Sequence, residues 1–292
     1  MEFLSALLNG LSSGGTYAMI AIGYTMVYGI AKMLNFAHGD IIMVGGYAMF
    51  VSLMLINQPL VALAFAIVAC VVLGVTVERL AYRPLRGASS LAVLITAIGV
   101  SSLLQSLAQI IFGAAPKMPT AFLISGSLSL GSSFRINYST LVTLAVVVVI
   151  MAALTAFVKY SKTGRAMVAV SEDRGAAQLM GINTNRIIAA TFAIGSALAA
   201  VAAYLMMMKA PTLSSTLGAM PGIKAFTAAV IGGIGSIPGA MLGGVLLGVI
   251  ESLALSVPQL APFTDAIEFA VLIVILLVRP VGILGKARRE KV

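Results

Sequence analysis

The sequence predicts an all-α protein, a polytopic bundle of transmembrane helices with about nine membrane segments. The first observation is composition: of the 292 residues, 60% are hydrophobic and only 9% are charged. Soluble domains are about half apolar and a quarter charged, so this chain has too few charges to cover a water-facing surface. The second observation is that apolar residues form runs of roughly 20, the length a helix needs to cross the hydrocarbon core.

The apolar runs set the order of the expected segments. They lie at residues 4–30, 41–56, 60–80, 91–112, 138–158, 187–208 and 263–278, with two more within 220–255. We expect the first to weaken at Gly14-Gly15. The run 220–255 is too long for one crossing and is interrupted between Gly232 and Gly239, which predicts two short helices joined by a tight turn. All segments are expected to form a single transmembrane domain, residues 1–292.

Lys and Arg are distributed unevenly between the two sets of loops. If the C terminus is cytoplasmic, fourteen lie on that side, at 32, 79–86, 159–186 and 279–291, and four lie outside: Lys117, Arg135, Lys209 and Lys224. Because cytoplasmic loops carry an excess of Lys and Arg, the N terminus is predicted to be outside and the C terminus inside. The net charge of +9 does not indicate a nucleic-acid partner, since no basic run is interleaved with aromatic residues.

Two loops are long enough to have structure of their own. The outer loop, about 113–137, is rich in Gly, Ser and Pro and is expected to form a short hairpin or to lie on the surface. The inner loop, about 159–186, is charged and helix-prone. Glu172 and Asp173 would complement a helix N terminus, Ala176, Ala177, Leu179 and Met180 would form an apolar side, and Gly181 would end the helix. Such a helix could dock to another protein, or it could be a connector that lies on the surface.

The side chains needed for most enzyme chemistry are scarce. One His and one Cys leave no spare members for a metal cluster or a Cys-His nucleophile, so no catalytic residue, metal or cofactor is expected. The G-x-x-x-x-G-K-[S/T] phosphate-binding sequence does not occur in the chain, so ATP could drive this protein only through another subunit.

A few polar residues fall inside apolar segments. Glu251 and Glu268 are expected near the interface or facing the bundle, paired with Ser, Thr or a backbone donor; the alternative, a proton relay, would need more such groups. Asn35, His38 and Asp40 form either a polar connector in which Asp40 caps the next helix, or part of the inner pathway.

Glycines recur every four residues along the last third of the chain. Gly235, Gly239 and Gly243, continued by Gly244 and Gly248, would give a helix a smooth face for close packing. The alternative is a hinge or a half-helix end in a pathway. Under that alternative, Gly232, Gly233 and Gly235 join Asn35, His38 and Asp40 as candidate pathway residues.

Four stretches, in order and spanning nearly the whole chain, resemble the H subunit of Liv-type branched-chain amino-acid permeases, which belong to ABC importers. The stretches are Ala21–Ile30 running into Asn35–Asp40, the inner loop Gly164–Asn183, Ala228–Gly244, and Val278–Gly285. The broader family includes permeases for sugars and urea.

The resemblance implies a type II-like importer permease in the bacterial inner (cytoplasmic) membrane. Its implied partners are a second homologous permease, two cytoplasmic ATPase subunits and a periplasmic binding protein that delivers branched-chain or related small amino acids. The inner loop would couple to the ATPases through Glu172, Asp173, Arg174, Ala176, Ala177 and Gly181. Two alternatives remain open: a secondary transporter of small polar solutes, and an ABC permease for urea or another small solute.

Overall fold

The computed structural model describes residues 2–122, 126–129 and 135–285. The remainder of the outer loop, with Leu123 and Leu130, and the basic residues at 286–291 lie outside the described residues. Along the described chain the helices are α1 (Glu2–Ala31), α2 (His38–Leu55), α3 (Pro59–Val77), α4 (Ser90–Phe112), α5 (Tyr138–Tyr160), α6 (Lys162–Glu172), α7 (Arg174–Leu179), α8 (Thr184–Lys209), α9 (Ala219–Gly232), α10 (Ile237–Ser256) and α11 (Thr264–Val278).

The all-α prediction is confirmed, and each expected apolar segment coincides with a helix. Seven helices in the described part of the chain are long and apolar enough to cross a membrane. Two of the nine expected segments fall outside that set. The helix α1 has 30 residues, and α9 has 14, or about 21 Å at 1.5 Å per residue. Nine is therefore an approximate count of membrane segments.

Local sequence signals explain where several helices begin. The side chains of Ser89, Asn183 and Ser236 accept hydrogen bonds from backbone N–H groups in the first turns of α4, α8 and α10. Proline occupies the first turn of α3 and of α10, where its missing N–H costs no helical hydrogen bond. In the outer loop, β1 (Ser127–Ser129) pairs antiparallel with β2 (Arg135–Asn137), so this loop forms a short hairpin.

The helix α1 lies at the centre of the bundle, packed against α5, α8, α9 and α10. The expected weak point at Gly14-Gly15 is wrong, because α1 is continuous there. A Cβ on Gly14 would lie 2.8 Å from the Val245 Cα of α10, and one on Gly15 would lie 2.8 Å from a Val147 methyl of α5. These glycines allow close approach of neighbouring helices rather than a break.

The glycine repeat of α10 packs against two neighbours. On one side Gly239 meets Gly232, and Gly243 meets the carbonyl of Ala228, both on α9. On the other side Gly244 and Gly248 meet the backbone of α1. The close-packing interpretation of the repeat is confirmed for these four positions.

The turn between α9 and α10 lies at one end of the bundle and is built from glycine. Gly233 and Gly235 have φ of 108° and 94°, a region that side chains with a Cβ rarely adopt. The C-terminal segment 280–285 packs on this turn, where the N–H groups of Ile283 and Leu284 donate to the carbonyls of Ile231 and Gly232, each at 2.9 Å. These bonds satisfy carbonyls at the end of α9 that lack partners within the helix.

The same end of the bundle holds most of the described basic loop residues. The connectors after α1 and α3, the α5–α8 loop and the residue after α11 meet there, and they carry Lys32, Arg83, Arg86, Lys159, Lys162, Arg165, Arg174, Arg186 and Arg279. We call it the basic end. The β-hairpin lies at the opposite end.

A pair of glycine substitutions tests the packing of α10. Gly243→Leu should lower the folded amount and thermal stability of the protein, because over-packing commonly costs ~1–3 kcal/mol and here the new side chain meets backbone. The matched control is Gly99→Leu on α4, where no atom lies within 4 Å of an added Cβ. Size-exclusion profiles of the detergent-solubilised protein after a heating series provide the measurement. Equal stability of the two variants would contradict the assignment.

Candidate functional site

The connector between α1 and α2 returns from the basic end into the bundle. His38, the first residue of α2, packs its ring against Tyr24 with centroids 4.8 Å apart. A Cβ on Gly23 would overlap that ring. Since Gly23 lies eight residues before the end of α1, the start of α2 is about 12 Å inside the bundle.

Two helix N termini meet at this depth. Gly39 in the first turn of α2 contacts Gly218 and Gly222, which lie just before and within the first turn of α9. A helix N terminus carries a partial positive charge from its unpaired N–H groups. Broken-helix transporters use such termini to hold anionic groups.

Three candidate pathway residues, Asn35, His38 and Asp40, belong to this region, and all three are buried. Asn35 Oδ1 accepts a 2.7 Å hydrogen bond from the hydroxyl of Tyr82, and Asp40 Oδ1 accepts a 2.8 Å bond from Gln105 Nε2. The expectation that Asp40 caps α2 is wrong. The N-cap is Ala37 and Asp40 lies in the first turn, where its carboxylate bonds across to α4 instead.

Some buried polar atoms of this region have no hydrogen-bond partner among the described residues. They are Asn35 Nδ2, His38 Nε2 and, nearby on α1, Thr25 Oγ1. A buried polar atom without a partner costs free energy, so native structures keep few of them. Three of the seven such atoms among the described residues therefore lie around the α1–α2 connector.

The other candidate pathway residues, Gly232, Gly233 and Gly235, lie elsewhere. They form the turn at the basic end, where Gly235 approaches Gly29 of α1, and Gly233 approaches Gly285. The structure therefore does not bring the six candidates together. It leaves the buried polar residues as one group and assigns the glycines to backbone packing.

A second polar group, of two buried charges, one partly buried and one exposed, lies on the other side of α9. Lys224 Nζ is 2.5 Å from Glu251 Oε1, 2.9 Å from Asp265 Oδ1 and 3.2 Å from Glu268 Oε1. The Tyr17 hydroxyl also donates to Glu251 Oε1 at 3.0 Å. We call Lys224, Glu251, Asp265 and Glu268 the charge cluster. It joins α9, α10 and α11 to one another, and through Tyr17 to α1.

The charge cluster corrects two expectations from the sequence. Lys224, expected in an outer loop, is buried within α9. Glu251 and Glu268 do face the bundle, but their partners are a lysine and a tyrosine rather than Ser, Thr or backbone. The sequence did contain a signal: Lys224 lies only four residues after Met220, inside an apolar run. A charge in such a run is costly unless it is paired, so its position indicated a buried ion pair. No short-range pattern indicated Tyr17 or Gln105.

The inner loop forms two helices, α6 and α7, where one was expected. Asp173 between them is the N-cap of α7 and accepts a 3.0 Å bond from the Ala176 N–H, while Glu172 ends α6. Gly181, with φ of 80°, follows α7, and the Ile182 N–H reaches back to the Ala177 carbonyl at 3.0 Å. This bond pattern is a glycine-based helix stop, as the sequence predicted.

The exposed side of α7 differs from the expected one. Ala177 is only 5% exposed, so it packs into its own chain and offers no surface for docking. Leu179 and Met180 are instead 91% and 82% exposed, and Glu172, Asp173, Ala176 and Gly181 are exposed beside them. Two large apolar side chains exposed beyond the end of a bundle are typical of an interaction surface.

Arg174, the first residue of α7, points into the protein. Its Nη2 and Nε donate to the carbonyl oxygen of Ile30 at 2.8 and 3.2 Å. Burial lowers the pKa of Arg174, and the positive charge of Arg86 adds to this effect. Arg86 is itself engaged by Glu78 and Asn185.

The family model and two relatives that match this chain over its full length are described as branched-chain amino acid transport permeases. Residues 6–276 match the family model described as "Branched-chain amino acid transport system / permease component". The high-affinity branched-chain amino acid transport system permease protein BraD of Pseudomonas aeruginosa is 46% identical over 100% of this chain and 98% of its own. The corresponding protein LivH of Escherichia coli is 46% identical with the same coverage.

More distant proteins are also similar over most of the chain. The ribose import permease protein RbsC of Haemophilus influenzae is 24% identical over 92% of this chain and 83% of its own. A solved structure, PsaBC from Streptococcus pneumoniae in complex with Fab, superposes with a TM-score of 0.51 at 13% identity, covering 93% of this chain and 91% of that one.

Removing the cation of the charge cluster should destabilise the protein. Lys224→Met leaves Glu251 and Glu268 without their cation, and breaking a buried pair in this way commonly costs about 3–5 kcal/mol. The triple variant Lys224→Met, Glu251→Gln, Glu268→Gln should recover most of the lost stability, because it leaves no buried carboxylate without a cation. Thermal unfolding in detergent is the measurement, with the exposed Lys162→Met as control. If Lys224→Met unfolds at the same temperature as this control, the cluster does not hold the helices together.

Proposed function

The chain belongs to the branched-chain amino acid transport permease family and is a multi-pass membrane permease subunit, and from that premise we propose that it forms the membrane path of an ABC importer for branched-chain or related small amino acids. The observation that carries the proposal is 46% identity over the full chain to high-affinity branched-chain amino acid permeases of two bacteria. The substrate class and the ATP-driven mechanism come to this chain from those relatives.

ATP hydrolysis is assigned to partner subunits. The chain has no phosphate-binding sequence of its own, so energy must enter by contact. The proposed assembly contains a second homologous permease, two cytoplasmic ATPase subunits and a periplasmic binding protein. Substrate selection rests mainly with the binding protein, and the permease supplies a path that opens alternately to each side.

The proposed orientation follows from charge. The basic end faces the cytoplasm of a bacterial inner membrane, because cytoplasmic loops are rich in Lys and Arg. The N terminus is then periplasmic and the C terminus cytoplasmic. The outer hairpin faces the periplasm, and α6 and α7, within the coupling loop 159–186, face the ATPases.

The path is assigned to the region where α2 and α9 begin. Asn35, His38 and Asp40 lie there at the meeting point of two helix N termini, and they retain unpaired polar atoms. An amino acid carries a carboxylate that suits helix N termini and an ammonium group that suits Asp40. Gly232, Gly233 and Gly235 keep a supporting role, in which they allow the tight turn at the basic end.

ATPase docking is assigned to the exposed surface of α7. Leu179 and Met180 supply apolar area, and Glu172, Asp173, Ala176 and Gly181 surround them on the same loop. Apolar side chains with a polar rim are the usual composition of a protein interface. Ala177 contributes by holding α7 against its own chain.

A carboxylate at the apolar surface tests this assignment. Leu179→Asp and Met180→Asp should each reduce co-purifying ATPase about tenfold or more, since burying an unpaired charge in an interface is costly. The permease itself should insert normally, because both side chains are exposed. The control, Leu55→Asp, changes a leucine that is 79% exposed at the opposite end of the bundle. Co-purification and uptake at wild-type levels in both α7 variants would contradict docking at this surface.

A further inference from the structure

Arg174 connects the coupling loop to the centre of the bundle. It lies at the start of α7, and its guanidinium group donates two hydrogen bonds to one carbonyl, that of Ile30, 144 residues earlier in the chain. The expectation from sequence was that Arg174 would contact the ATPase. Its half-buried side chain instead forms its hydrogen bonds with α1, while Leu179 and Met180 are exposed to solvent.

The carbonyl that Arg174 binds is one that α1 cannot satisfy itself. Ile30 is the penultimate residue of α1, and the last four carbonyls of a helix have no partner within it. A cation is also favoured at a helix C terminus, where the helix dipole is negative. Arg174 therefore caps α1 from a different part of the chain.

The Arg174 bond has no support from an ion pair among the described residues. In the described part of the chain no carboxylate lies within ion-pair distance of Arg174, while the neighbouring Arg86 is held by Glu78. A cleft lined by Thr25, Ile30, Met167 and Ser171 also opens between the basic end of α1 and α6. The coupling loop and α1 are thus not packed together continuously. The hydrogen bonds of Arg174 to Ile30 join them beside the cleft.

Movement of α1 would reach much of the bundle. Its backbone is in close contact with α10 at Gly14 and Ala18, and its Tyr24 touches the His38 ring at the start of α2. A displacement at Ile30 would therefore act on the region to which the path is assigned. Coupling between distant sites needs such a contiguous chain of contacts.

We propose that Arg174 is a positioning residue that transmits movement of the ATPase-docked coupling loop to α1, through its two hydrogen bonds to the Ile30 carbonyl. This inference rests on the proposed function, since it takes the ATPases to dock on α7. It separates two roles within one short helix: Leu179 and Met180 bind the partner, and Arg174 passes the movement inward.

The test measures transport per ATP in the whole complex, purified with its partners and reconstituted into proteoliposomes. Arg174→Met removes both donors and keeps an unbranched apolar stem. Uptake per ATP hydrolysed should fall about tenfold or more, as expected for loss of a hydrogen bond to a charged group, while ATPase co-purification stays within about twofold of wild type. Arg174→Lys keeps the charge, with one donor nitrogen in place of two, and should give an intermediate ratio. Arg83→Met, at an exposed arginine of the basic end outside the coupling loop, should leave the ratio unchanged.

Several results would overturn the proposal. They are a wild-type ratio in Arg174→Met, loss of the ATPase from that variant, or an equal fall in Arg83→Met, which would indicate a general effect of charge. If Arg174→Met fails to accumulate, Arg174→Lys decides: a reduced ratio supports the role, and an unchanged ratio contradicts it. Failure of the proposed function is distinguishable, because no ATPase would then co-purify with the wild-type chain.

Discussion

Backbone contact between α1 and α10 is the interaction on which the rest of the bundle depends. In lipid there is no hydrophobic drive to bring helices together, so association relies on close van der Waals packing and on small residues that permit it. Gly10 and Gly14 of α1 meet Val249 and Val245 of α10, while Gly244 and Gly248 of α10 meet α1 in return. With this pair in place, α1 also contacts α5, α8 and α9, and α9 returns against α10 through a second set of glycines.

This constraint explains how the buried polar groups are accommodated. A helix hairpin as tight as α9–α10 places Lys224 beside Glu251, and α11 then brings Glu268 and Asp265 to the same cation. Intramembrane charges persist only when they are paired. On the opposite side of α9, the early start of α2 leaves Asn35, His38 and Asp40 in the interior with some polar atoms unpaired. Paired charges thus hold helices together, and three of the unpaired polar atoms, on Thr25, Asn35 and His38, lie where a polar solute is proposed to pass.

The sequence predicted features that depend on local pattern. Apolar runs located every long helix, the glycines at 232–239 indicated the tight turn, and Gly181 indicated the end of α7. It failed where the outcome depends on which face of a helix meets which neighbour. Ala177 was taken as exposed although α7 packs that face inward, and Lys224 was placed in a loop although α9 begins at Ala219. The Arg174–Ile30 bond joins residues 144 apart, a distance at which no periodicity carries information.

The central claim is that this permease takes its energy from ATP at the basic end, and a sided transport assay tests it most directly. The complex purified from native membranes is reconstituted into proteoliposomes, and the fraction of each orientation is measured by protease cleavage of the coupling loop in a parallel sample. The account predicts that labelled leucine, isoleucine or valine is taken up with its binding protein only when ATP is on the side of the basic end, and that proton and sodium gradients without ATP give no uptake. Gradient-driven uptake without ATP would contradict the account and favour a secondary transporter.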